Sequence, residues 1–352
     1  MAIPLVRPSI KRKDLDSVLT CMVSDQIATG VQNAEFVGEV LELLGLDGGL
    51  AFRDPATAIR VGLLSLGLGV GSRIGLPVFA PKVYLLEILG VGAVPVFVDS
   101  VPGTPIVDIE YLRNVHEQEA LGCFIAYSAC GVSGNTEEIQ GLGVPLIEDI
   151  TTVLGGRYED GSAAGSIGNF VLIRTEAQDL ITSGGGMLLL TKGKKESKSL
   201  QKVSEVLPDT AYMADMNAAL GKIQFRELGK FFERRIEFYR LFSQSVLRSH
   251  NQVLYTGGDE EVVPSSFVVK LKGSLQEVQG FCVKKGIETR ATFEDSCYHW
   301  LSANAQGDDR EDIPRTYPSC ARLMLQCLSF PLYPSLGAKE VESLLKILAA
   351  LP

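Results

Sequence analysis

The chain has 352 residues, 46% of them apolar and 21% charged, with a formal net charge of −9. That length supports two domains, or one large domain with a smaller one attached, and the composition excludes disorder. The acidic balance argues against nucleic acid and anionic membrane as partners, since the one short basic run, Lys192, Lys194, Lys195 and Lys198, reads as a solvated helix face or loop.

In chain order, the opening residues MAIPLVRPSIKRKD carry prolines and charges where a signal peptide would need an apolar core, so a cytoplasmic location is expected. The longest uncharged apolar run lies between Arg60 and Arg73, short of the ~18–20 residues a membrane span needs. Seven cysteines, an odd count without a CxxC pair, suit buried thiols in a reducing compartment. Three histidines, His116, His250 and His299, stand far apart, and no metal spacing appears.

From about Leu50 to Leu190, helical patterns alternate with short apolar runs that suit buried parallel strands: Ala93–Val98, Cys123–Tyr127, Val144–Ile147 and Met187–Leu190. This pattern predicts an α/β architecture, a mostly parallel central sheet with helices on both faces. Gly67, Gly69, Gly71 and Gly75 follow a helical pattern, whereas a dinucleotide fingerprint needs its glycines after a strand and opening a helix.

The amphipathic stretch from Met216 to about Ser249 predicts one long helix leading into a second unit. Beyond it, Ser266–Leu271 alternates like a strand and Leu275–Lys285 is helical. The segment 303–315, with Asp308, Asp309, Glu311 and Asp312, reads as an exposed loop, and Ala338–Leu351 as a final helix. The expected organisation is a large domain over 1–240 and a small α+β domain over 241–352.

Several ordered segments together resemble the DegT/DnrJ/StrS family of fold-type-I pyridoxal-phosphate (PLP) enzymes, which mostly aminate nucleotide-linked keto-sugars. They are Ile3-Pro4-Leu5 with Arg7-Pro8, Thr29-Gly30 with Glu35-Phe36, Gly92–Asp99, Ile147-Glu148-Asp149 with Gly155, Gly165–Gly168, Gly184–Met187, Asn217–Gly221 with Arg234-Arg235 and Tyr239, and Leu328–Pro334. The resemblance runs through nearly the whole chain. It implies the aminotransferase fold, a homodimer with sites between subunits, a nucleotide-sugar ligand and PLP as cofactor.

Such chemistry needs a lysine amine for the Schiff base, which the family carries between its GSxG and GEGG segments. From Asn169 to Gly184 this chain has none. Alignment from the left places Asp179 at that position, and a shifted gap places Gln178 there. Some relatives that act as sugar dehydratases carry histidine here and use the amine form of the cofactor, so the remaining positions must decide.

The family's phosphate-binding turn reads Asp54-Pro55-Ala56-Thr57, with one N–H removed by proline, the hydroxyl replaced by Ala56, a repelling carboxylate at Asp54 and Thr57 one residue out of place. The ring-stacking aromatic falls at Pro81, with Phe79 nearby. The phosphate-binding serine aligns with Arg174, and the asparagine and arginine lent by the neighbouring subunit align with Thr210 and Tyr212. The histidine segment reads Ser128–Gly131, and Thr152 belongs to the residual pocket. Asp149 stands where the family's aspartate meets the pyridine nitrogen; it reads equally as a strand-end carboxylate capping the following turn.

Asp54, Asp149 and Asp179 predict a carboxylate-rich cleft, with Arg174 pairing to Asp179 or Asp149 and filling cofactor space. Lys82 is the one other nearby candidate for a Schiff base. The expected protein is an aminotransferase-like homodimer without transaminase activity and without a cofactor, a binding, scaffolding or partner subunit that could complete the site of an active paralogue. The alternatives are an active PLP- or aminated-PLP-dependent aminotransferase or dehydratase with an unusual catalytic residue, and an acid–base pair of Asp149 and Asp179 acting on a sugar.

Overall fold

The first sheet is built from β-strands β1 (Gly48–Phe52), β2 (Arg73–Pro77), β3 (Val94–Val98), β4 (Cys123–Tyr127), β5 (Leu146–Asp149), β6 (Phe170–Arg174) and β7 (Met187–Thr191), ordered β1-β7-β6-β5-β4-β2-β3. β7 runs antiparallel to both β6 and β1, and the remaining pairings are parallel. Every residue of β5 and β7 is buried, as expected for strands covered on both faces. The computed structural model describes residues 2–24, 27–132, 134–158, 161–254, 263–306 and 309–352.

The second sheet, ordered β10-β11-β9-β8, is antiparallel: β8 (Gln252–Val253), β9 (Phe267–Lys270), β10 (Arg290–Ala291) and β11 (Cys327–Phe330). Its core includes Phe242, Phe267, Leu344 and, from the other end of the sequence, Ile3, which pairs with Ile287. Asp99, just after β3, links the two bodies. Its carboxylate accepts from the N–H groups of Ser319 at 3.0 Å and Cys320 at 3.1 Å, capping helix Pro318–Gln326.

Two expectations are corrected. The single long helix is two, Asp215–Arg226 and Leu228–Val246, broken at Glu227 where the backbone turns to φ −89°, ψ 0°. The break lets the first helix bury Ala218 and Phe225 with the first sheet and the second bury Phe238, Phe242 and Val246 with the second sheet. Within 303–315, helix Asp309–Thr316 replaces the expected loop, with Arg315 paired to Glu311 and Asp312 one turn back. Asp308 lies outside the described residues.

Family-like segments have local structural causes. Glu148, 1% exposed, accepts from Tyr158 Oη and from the N–H groups of Gly165, Ile167 and Gly168, so it shapes the 165–168 loop. Asp215 accepts from Gln32 N at 3.1 Å and Asn33 N at 3.0 Å, capping helix Val31–Leu44. A Cβ on Gly30 would lie 3.1 Å from that same carboxylate.

Candidate functional site

The turn that enters helix Pro55–Ser65 closes on itself. Asp54 accepts from the Thr57 N–H at 2.8 Å and from the Thr57 hydroxyl at 2.9 Å, and Pro55 offers no N–H. A helix start attracts anions through free donors and the positive end of its dipole. Here a carboxylate already takes that place, Ala56 adds no hydroxyl, and the Thr57 hydroxyl is turned toward Asp54.

Pro81 is buried and starts helix Lys82–Gly90, with its backbone bridged to Ser296. Lys82 is turned outward, its Nζ 3.0 Å from Asp295 in an exposed pair. Phe79 packs on Phe293 with ring centroids 4.2 Å apart. The aromatic side chain that does reach the site is Tyr84, one helical turn further on, which sequence reading did not single out.

Tyr84, 1% exposed, donates its hydroxyl to Asp149 Oδ2 at 2.6 Å. The other oxygen of Asp149 accepts from Thr151 N at 2.9 Å, the turn-capping role. The Thr151 hydroxyl accepts from Arg174 N at 2.9 Å, and the Arg174 guanidinium forks onto Asp179 with Nε–Oδ2 3.0 Å and Nη2–Oδ1 2.8 Å. Asp179 also accepts from Glu176 N at 2.8 Å. Tyr84, Asp149, Thr151, Arg174 and Asp179 thus form one continuous network from the first core to the cleft.

The electrostatics follow from burial. Burial raises the Asp149 pKa against the opposing pull of Thr151, Tyr84 and Arg174, and burial followed by the Asp149 charge raises that of Tyr84. For Arg174, burial works against the charge and Asp179 overcomes it, so its pKa rises. The two carboxylates once read as an acid–base pair are therefore committed to other partners, Asp149 to a tyrosine and a turn, Asp179 to an arginine.

Thr152 ties down the 128–131 turn: its hydroxyl donates to Ser128 O and accepts from Gly131 N. Cys130 in that turn sits at φ 60°, rare for a residue with a side chain, and burial pushes its thiol up to about 12. Thr210 is exposed on a turn beside β1, and Tyr212 stacks on Phe52 at 5.6 Å while its hydroxyl donates to Ser204 O at 2.9 Å.

A cleft of about 170 Å³ opens between the first sheet, the N-terminal segment and the second sheet. Of the sequence-selected residues, Thr152, Arg174, Gln178 and Asp179 line it, whereas Asp54, Ala56, Thr57, Pro81, Asp149 and Thr210 do not. The expected carboxylate-rich cleft is corrected. Among the described residues its lining holds four arginines, Arg7, Arg174, Arg235 and Arg290, and one carboxylate, Asp179. Asp54 is spent on its own helix, and Asp149 is buried with Tyr84 and Thr151 as its partners. Arg235 and Tyr333 lie in family-like motifs, but nothing in their spacing marked them as cleft residues.

Comparison with known proteins agrees with this architecture. The family model described as DegT/DnrJ/EryC1/StrS aminotransferase matches residues 8–349. A GDP-perosamine synthase from Escherichia coli O157:H7 is 22% identical, covering 96% of this chain and 95% of that protein. A Streptococcus pneumoniae protein assigned as a sugar aminotransferase, in its PLP-form, superposes with a TM-score of 0.88 at 19% identity, covering 99% of this chain and 98% of the other. An Escherichia coli GDP-4-keto-6-deoxy-D-mannose-3-dehydratase with bound hydrated PLP gives 0.84 at 16%, covering 99% and 100%. The sheet order, the strand-end position of Asp149 and the whole-chain match lead to one conclusion: the chain has the fold-type-I aminotransferase fold and belongs to the DegT/DnrJ/EryC1/StrS aminotransferase family.

Proposed function

We propose that this chain is a non-transaminating member of its family, a homodimeric cytoplasmic binding or partner subunit of nucleotide-sugar or polysaccharide biosynthesis. The observation that carries the reading is the Arg174–Asp179 fork: Asp179, which alignment from the left sets at the family's Schiff-base lysine position with Gln178 as the alternative, is a carboxylate already neutralised by a neighbouring guanidinium. No amine is present from Asn169 to Gly184 to replace it.

The residues present do not fit PLP. Its phosphate would meet Asp54 at the helix start, its ring nitrogen would compete with the Tyr84 hydroxyl for Asp149, and Lys82 is turned toward Asp295. The first two features oppose a seated cofactor and the third turns the nearby lysine away, which argues for a site put to another use. Exposed apolar residues on helix Arg12–Val23, Leu15, Leu19, Met22 and Val23, suit an interface with a second copy or an active paralogue.

Mixing the purified protein with PLP and recording the visible spectrum tests the reading. No Schiff-base band is expected; a band that disappears on replacing one lysine would overturn it. The second reading, a PLP- or aminated-PLP-dependent aminotransferase or dehydratase with an unusual catalytic residue, draws on Asp149, which keeps its strand-end place. It requires Tyr84 to leave Asp149 when the cofactor enters.

A further inference from the structure

Arg235 is 4% exposed and lines the cleft. Its three hydrogen bonds all run through Nη1, to the carbonyls of Pro264 at 3.3 Å, Ser265 at 3.0 Å and Leu332 at 2.8 Å, and its Nε has no partner. Among the described residues no carboxylate is hydrogen-bonded to it. The other three cleft arginines each have one: Arg7 pairs with Glu340, Arg290 with Glu294 and Arg174 with Asp179. Asp179, already forked to Arg174, is the carboxylate whose charge reaches Arg235, so this buried guanidinium only shares a counter-charge and is stabilised by any anion that reaches it.

Further unpaired polar atoms lie around the same cleft. Ser9 Oγ, Ser265 Oγ and Tyr333 Oη are buried, lack partners and belong to cleft-lining residues. Buried polar groups are nearly always hydrogen-bonded, so these hydroxyls and Arg235 Nε, all on cleft-lining residues, form an unfilled set of donors. Ser265 adjoins the carbonyls that hold Arg235, and Tyr333 follows Leu332, so the hydroxyls and the guanidinium are fixed by the same turn contacts.

We infer that this cleft binds a small organic anion, a carboxylate or phosphate monoester carried on a hydroxylated six-membered ring, with the anion on the Arg235 side and ring hydroxyls met by Ser265 and Tyr333. The size follows from the volume. A cavity of about 150 Å³ takes up benzene, so a cleft of about 170 Å³ has room for a single-ring body. The charge follows from Arg235, since the other three lining arginines are paired with Glu340, Glu294 and Asp179 and this guanidinium is left in excess. Asp149 does not line the cleft and is taken up by Tyr84 and Thr151.

The inference deepens the binding role proposed above and rests on the cleft being free of PLP. Its test is calorimetric titration of the full chain with glucuronate, glucose 6-phosphate and neutral glucose. One or both anions should bind and glucose should not, the two anions telling carboxylate from phosphate. Ser265→Ala and Tyr333→Phe remove hydroxyls that bond nothing in the fold. Each should weaken anion binding about tenfold at an unchanged melting temperature. Failure of both anions to bind, equal binding of glucose, or wild-type affinity in both variants overturns the inference. Such a failure without a Schiff-base band leaves the non-transaminating reading standing, whereas a band alongside intact anion binding removes that reading alone.

Discussion

Tyr84 and Asp149 meet at 2.6 Å inside the first core, phenol donating to carboxylate, with both residues almost wholly buried. The pair sits at the end of β5, where Asp149 also accepts from Thr151 N at 2.9 Å. Removing the hydroxyl leaves a buried carboxylate oxygen without its donor. Tyr84→Phe should therefore lower stability by about 1–3 kcal/mol, read from urea unfolding midpoints at an unchanged slope.

The pH dependence carries a definite sign. Burial raises the folded-state pKa of Asp149, so the native protein holds this proton at pH values where the unfolded chain has released it. The stabilisation is complete below the ordinary aspartate pKa and is lost as pH rises through the raised native value. Asp149→Asn fixes a neutral group at the site. Its melting temperature should fall less than that of the wild type as pH rises from acid toward neutrality, and parallel melting curves would refute the assignment.

Breaking the Arg174–Asp179 fork should be expensive on one side in particular. Asp179 is 4% exposed and Arg174 21%, and Asp179 is the one lining carboxylate beside Arg235 as well. Asp179→Asn leaves two guanidinium groups without it and should cost about 3 kcal/mol. The double variant with Arg174→Gln should cost less than the sum of the singles, which a double-mutant cycle measures.

Asp99 offers a structural control remote from the cleft. Asp99→Ala deprives the buried N–H groups of Ser319 and Cys320 of their acceptor and uncaps helix Pro318–Gln326. A loss of about 2 kcal/mol is expected, without any change in anion binding by the cleft.

Strands β3, β4, β5, β7 and β9 were legible because each is a short apolar run between turn residues, whereas β1, β2 and β6 were not singled out. The Arg174–Asp179 pair was legible as one of two pairings, since their spacing left Asp149 as an equal partner. Tyr84 was hidden: among Val83, Leu85 and Leu86 it reads as one more core residue, and only the fold brings Asp149, 65 positions away, to its hydroxyl. The reversal from a carboxylate-rich to an arginine-lined cleft had the same cause. Asp54 is consumed by a cap three residues away, while Arg7, Arg235 and Arg290 converge from distant segments. The break at Glu227 escaped because both helices carry continuous apolar stripes, which differ only in the core they face.

The central claim is that this family member holds no cofactor-bearing lysine. Incubation with PLP, borohydride reduction and peptide mapping of the intact chain tests it most directly. The account predicts no stoichiometric pyridoxyl-lysine at any site. A single lysine labelled to one equivalent, Lys82 included, with labelling abolished by its replacement with alanine, would contradict it.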